Sequence, residues 1–168
     1  TCFRFFNAAG ADREARVGEA HEPETHVIPR VLRWLAGEGL FAIYGDDYPT
    51  DDGTCVRDYV HVTDLADAHA RALARVLARG GAARFDFDVV NLGSGVGTTV
   101  RALVEQVRRL TGASREPAVH ARREGDAPRL LADTSRAREL LGWAPRRGLG
   151  SILEDALWWE QNRAGAIG

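Results

Sequence analysis

Val56-Arg57-Asp58-Tyr59-Val60-His61-Val62-Thr63-Asp64-Leu65-Ala66-Asp67-Ala68-His69 decides the fold. Its first part, with Val56, Arg57, Tyr59 and Val60, reads as extended chain. The period then changes. Leu65, Ala68, Ala72 and Val76 recur on one helical face. Thr63 is placed to cap this helix, with Asp64 and Asp67 near its positive end and Arg71, Arg75 and Arg79 further along. Gly80-Gly81 ends it. A strand feeding a helix is the repeating unit of an α/β fold.

The flanking chain repeats that alternation. Upstream, Cys2, Phe3, Phe5 and Phe6 predict a short buried strand that ends at Asn7. Residues 11–25 are polar and aperiodic, hence loop. Residues 27–35 predict a helix with Pro29 in its first turn, and 41–44 a strand. Residues 45–53 are dense in Gly, Asp and Pro, as turns require. Downstream, 87–92 predicts a strand, and Gly93 to Gly97 a tight turn into a helix carrying Val100, Leu103, Val104, Val107 and Leu110, closed by Gly112. Residues 117–121 predict a short strand and 122–132 a charged loop. Asp133 is placed to cap a helix that Gly142 closes, and Ser151 with Glu154 predicts a capping box for the last helix. That helix turns Ile152, Ala156, Leu157 and Trp158 or Trp159 inward.

Composition narrows the function. The 168 residues are 45% hydrophobic and carry a net charge of -2, with 22 basic against 24 acidic groups. That balance speaks against nucleic acid or a membrane surface as the main partner. No apolar run approaches the ~18 residues that span a bilayer, and the opening residues carry no signal-peptide pattern. Cys2 and Cys55 read as buried free thiols of a reducing compartment, which points to the cytoplasm. There is no Met and no Lys, and the chain opens inside a strand-like pattern. The expectation is the C-terminal part of a longer protein.

Several chemistries have no residues to run on. Gly93-Ser94-Gly95-Val96-Gly97 lacks the third glycine of a dinucleotide fingerprint, because Thr98 stands there. Without Lys no Tyr-x-x-x-Lys pair exists, and no nucleophilic triad is legible, so no catalytic residue is expected. His21, His26, His61, His69 and His120 are scattered, and no C-x-x-C or H-x-x-x-H spacing predicts a metal site. What remains are polar groups beyond strand ends: Asn7, Arg57-Asp58 and Arg122-Arg123-Glu124-Gly125-Asp126. Two guanidinium forks from distant segments match a diphosphate, and a carboxylate such as Asp126 suits sugar hydroxyls. Surface arginines in ordinary salt bridges are the alternative.

Arg4 to Ala11, His26-Val27-Ile28-Pro29, the long block from Gly45 to His69, Asn91-Leu92-Gly93, the 122–126 loop and Leu141-Gly142-Trp143 together resemble the UDP-glucose 4-epimerases. These belong to the extended short-chain dehydrogenase/reductase family. The resemblance covers nearly the whole chain, and the 45–69 block is its most specific part.

The resemblance implies the C-terminal portion of an NAD-dependent enzyme that interconverts UDP-glucose and UDP-galactose at C4. Residues 1–10 and about 54–97 would contribute to the Rossmann core; about 11–53 and 98–168 would be mainly substrate-binding lobe. The glycine-rich NAD loop and the catalytic Tyr-x-x-x-Lys lie in the family's N-terminal part, so the isolated chain is expected to be inactive. By motif, Asn7, His26 and Val27 would touch the substrate. Ala42 and Tyr44 would line the uracil. Arg57 and Arg123 would hold the diphosphate beside Tyr59, and Asp126 would bind the ribose. Phe5 and Ala8 would lie toward the cofactor, Phe5 where the family often has Tyr. Leu130 stands at the position that admits or excludes N-acetylated sugars. A homodimeric parent is implied. A UDP-pentose 4-epimerase and a non-catalytic UDP-sugar-binding module remain alternatives.

Overall fold

The computed structural model describes residues 1–14, 16–78 and 87–163. The order is β1 (Cys2–Phe5), β2 (Asn7–Ala9), α1 (Val27–Leu35), β3 (Ala42–Tyr44), β4 (Val56–His61) and α2 (Val62–Ala78). Then come β5 (Val89–Leu92), β6 (Gly97–Thr99), α3 (Val100–Thr111), β7 (Ala118–His120), β8 (Arg129–Leu130), α4 (Ser135–Leu141) and α5 (Leu149–Asn162). The α/β class and its parallel pairings agree with the sequence.

β4 is the organising strand. Its C-terminal half runs parallel to β2, with Asn7 opposite Tyr59 and Ala9 opposite His61. Its N-terminal half lies between antiparallel β6 and parallel β8. Two separate pairs, β1 with β5 and β3 with β7, are also parallel. Before β4 the chain reverses at Gly53, whose φ is +80°. A Cβ there would stand 1.9 Å from the Asp46 carbonyl oxygen, so only glycine fits.

Two apolar cores flank this strand. In the first, Val31 and Leu32 of α1 meet Leu103 and Val107 of α3 and Ile152 and Leu153 of α5. In the second, Val60 packs with Leu65 and Ala68 of α2, Val90 and Leu92 of β5, and Ala137, Leu141 and Trp143. Trp143 is fixed in this second core by its indole N–H, which donates to the Asp64 carbonyl at 2.8 Å. Asp64 is buried and accepts the Arg146 and Arg147 amides at 2.8 and 2.9 Å and the Arg147 guanidinium at 2.6 Å.

Several local expectations need correction. β1 forms, but Cys2 is exposed and Phe5 is half exposed, because β5 is its single neighbour among the described residues. Cys55 is buried as expected. α2 starts at Val62, so Thr63 lies inside its first turn, and Val76 points to solvent. Arg79 and Gly80-Gly81 fall outside the described residues. Strand β6 intervenes between the Gly93–Gly97 segment and α3, whose cap is Thr99 accepting the Ala102 amide at 3.1 Å. Gly112 closes α3 in the left-handed region. Thr134, not Asp133, holds the N-cap position of α4; Asp133 accepts the Ser135 amide at 3.0 Å. Gly148 caps α5, which places Ser151 and Glu154 within the helix and leaves no capping box. β8 arises inside the 122–132 loop, where a two-residue strand has no periodicity to read.

Candidate functional site

A cavity of about 700 Å³ runs along β2 and β4, beside the start of α1, strand β3 and the 123–126 segment. Nucleotide-sized ligands fit such a volume. Asn7 and Ala8 reach it from β2, His26 and Val27 from the entry of α1, and Ala42 and Tyr44 from β3. Arg57 and Tyr59 reach it from β4, and Arg123 and Asp126 from the loop. Ten of the twelve predicted site residues thus share one cavity. Phe5 and Leu130 do not line it. Phe5 lies at the β1 edge near Phe3 and His69, and Leu130 on β8 is half exposed.

The two arginines are held differently. Arg57 Nη1 donates to the carbonyls of Val56 at 3.0 Å and Ala127 at 2.7 Å, and Nη2 donates to Asp126 Oδ1 at 3.1 Å. A guanidinium has five N–H donors. Nε and the second N–H of Nη2 are therefore open among the described residues. Arg123 has no ion-pair partner among the described residues; its guanidinium lies 3.6 Å above the Tyr44 ring. His120 stacks on the same ring system at 5.6 Å. The neighbouring Arg122 faces away, bonded to Asp47 at 2.6 Å, and holds that carboxyl below the usual carboxylate range.

Tyr59 contributes a polar atom that the protein does not satisfy. The residue is 4% exposed, and its hydroxyl is buried without a hydrogen-bond partner among the described residues. Burial pushes the phenol well above its ordinary value of 10.0, against a smaller opposing pull from Arg57. It therefore stays a neutral donor beside a cation.

Asp58, grouped by sequence with Arg57 as a strand-end ligand, has another task. It is fully buried and accepts four bonds: Ser94 N–H and O–H at 2.6 Å, Gly95 N–H at 2.9 Å and Ala132 N–H at 3.0 Å. Two amides of the Gly93–Gly97 segment, those of Ser94 and Gly95, are spent on this carboxylate, and that of Val96 on the Ser94 hydroxyl. Its main-chain carbonyl takes the Asn7 side-chain amide at 2.7 Å.

His61 is structural. The Thr63 amide donates to its Nδ1 at 3.1 Å, so the proton sits on Nε2, 3.0 Å from Asp155 Oδ2. Asp155 in turn meets Arg13 at 2.5 Å. No local spacing could have revealed a partner 94 residues away. Folding also gathers His21, Glu24 and His26 beside the entry of α1, a grouping that no spacing in the sequence predicts.

The family model described as GDP-mannose 4,6 dehydratase matches residues 1–156. This chain belongs to the GDP-mannose 4,6 dehydratase family. It is similar to several UDP-glucose 4-epimerases. A UDP-glucose 4-epimerase of Rhizobium meliloti (strain 1021) is 47% identical over 95% of the chain and 48% of its own length. The crystal structure of the Stenotrophomonas maltophila UDP-glucose 4-epimerase, with NAD and formylated UDP-arabinopyranose, superposes with a TM-score of 0.87 at 35% identity. It is matched over 98% of this chain and 48% of its own. That of Brucella ovis, with NAD, gives 0.82 at 46% identity, over 92% and 47%. The chain spans about half the length of the curated relatives it matches. In this dehydratase-family chain, as in those relatives, the fold is α/β, and NAD is the cofactor with which the relatives were crystallised.

Proposed function

We propose that this chain carries the UDP-sugar-binding cavity of an NAD-dependent UDP-hexose 4-epimerase, whose whole form interconverts UDP-glucose and UDP-galactose at C4. The observation that carries the reading is the junction of Arg57, Arg123 and Tyr59 in one cavity. Two open N–H donors on an immobilised guanidinium, an unpaired second guanidinium and an orphaned hydroxyl are what a diphosphate satisfies. Arg57 serves as the fixed arm and Arg123 as the movable one. Tyr44 supplies the face for uracil, Asp126 keeps an oxygen for the ribose, and Asn7, His26, Val27 and Ala42 line the rest.

NAD is another matter. The amides of Ser94 and Gly95 are already bonded to Asp58, so these residues offer no pyrophosphate cradle. Phe5 and Ala8 at the sheet edge do not make up for it. No step through the cofactor is assigned to this chain, and without Lys it is expected to be inactive alone. A homodimeric, cytoplasmic parent belongs to the same reading; no helix among the described residues is long and apolar enough to cross a membrane. A UDP-pentose 4-epimerase is the second reading, favoured by the pentose nucleotide bound to the Stenotrophomonas maltophila relative. A non-catalytic UDP-sugar-binding module would share the same clamp.

The test is UDP titration of this chain by calorimetry. A charge-assisted bond is worth about 1.5–3 kcal/mol, so Arg57→Ala and Arg123→Ala should each weaken UDP at least ~10-fold. Equal affinity in both variants and the parent sequence would refute the clamp.

A further inference from the structure

The segment leading into α1 brings together His21, Glu24 and His26, one ligand atom from each lying within 4.8 Å of the others. The two imidazoles meet edge to face, with centroids 5.4 Å apart. His26 Nδ1 is 2.9 Å from Glu24 Oε1.

The carboxylate between them is built in rather than dangling. Glu24's side chain is 4% exposed, and its Oε1 accepts the His26 amide at 2.7 Å. Its Oε2 is buried with no hydrogen bond, and Arg33 stands 3.9 Å away. That ion pair offsets part of the cost of burying the oxygen, and a directly bonded cation would satisfy the acceptor that no hydrogen bond reaches. Glu19 adds a further oxygen. Its Oε1 takes the His21 amide at 2.9 Å, and its Oε2 lies 3.7 Å from His26 Nδ1.

We propose that His21, Glu24 and His26, with Glu19 as fourth donor, form a site for a divalent transition metal of the zinc type. Two imidazole nitrogens with carboxylate oxygens are a donor set for Zn²⁺, whereas Mg²⁺ and Ca²⁺ favour oxygen alone. Zinc bonds of about 2.0–2.2 Å require the donor atoms to close by roughly 1 Å, which rotation of the exposed His21 side chain supplies. Glu19 and His26 also line the cavity. A bound ion would fix residues 19–26 at the cavity rim, independently of which nucleotide the cavity takes.

The experiment is titration of this chain with Zn²⁺ by calorimetry, with Co²⁺ absorption as a second readout. One Zn²⁺ per chain is expected, and tetrahedral Co²⁺ should give visible bands. Glu24→Gln and His21→Ala should each weaken zinc by at least ~10-fold. His21 is exposed, so its variant should keep the wild-type far-UV dichroism even where Glu24→Gln disturbs the loop. Absence of stoichiometric binding would overturn the proposal. So would zinc affinity unchanged in His21→Ala, which would put the ion elsewhere, for instance on the exposed Cys2.

Discussion

Replacing Tyr59 by Phe should make the chain more stable and its nucleotide binding weaker. The hydroxyl is buried and has no partner among the described residues. Leaving a hydroxyl in that condition costs about 1–3 kcal/mol. Phe removes the hydroxyl and keeps the ring in the first core. The void it leaves, about 20 Å³, returns only ~0.5 kcal/mol of that gain. The net is a stabilisation of about 0.5–2.5 kcal/mol. For a chain of this size each kcal/mol moves the melting temperature by about 2–4 °C, so Tm should rise by roughly 1–10 °C. Under the proposed clamp the same hydroxyl would donate to phosphate, a charge-assisted bond worth about 1.5–3 kcal/mol. UDP should therefore bind about 10- to 150-fold more weakly. Thermal melts followed by circular dichroism, and UDP calorimetry on the same preparations, measure both. A lower Tm with unchanged UDP affinity would refute the reasoning, because the hydroxyl would then have a structural partner.

The raised Tyr59 phenol has a consequence for alkaline stability. The folded chain keeps a proton that the unfolded chain releases near 10.0, so stability is full below that pH and falls as pH rises above it. Urea unfolding between pH 9 and 11 should show this decline, reduced in Tyr59→Phe. Asp58→Asn turns one of two acceptor oxygens into a donor that faces N–H groups. Two of its four bonds are lost, costing at least about 3 kcal/mol and roughly 6–12 °C in Tm; a shift under 2 °C would show that the carboxylate is not the bracket described. Leu130 lies off the cavity, so Leu130→Ala and Leu130→Tyr should change UDP affinity by no more than about twofold. In a full-length parent the preference between N-acetylated and plain UDP-hexoses should likewise stay flat, and a shifted ratio would restore Leu130 as a gate.

Local pattern determined the elements that are amphipathic or chemically punctuated. α1 spans Val27–Leu35 as its apolar spacing and Pro29 predict, and Gly112 and Gly142 end α3 and α4 in the left-handed conformation that glycine adopts without strain. Motif resemblance supplied the family and the membership of the cavity, because those residues recur as contiguous blocks. Tertiary structure decided what each polar group does there. Arg57 and Asp58 are adjacent in sequence and look alike as strand-end groups. On β4 they point to opposite sides, one into the cavity and the other into a buried bracket for residues 94, 95 and 132. Strand geometry forces that alternation, but only the partners brought in from other segments assign a role to each side. The pairing of His61 with Asp155, the orphaned Tyr59 hydroxyl and the exposure of β1 have the same origin. Burial and hydrogen-bond satisfaction depend on residues tens of positions away, and no local spacing records them.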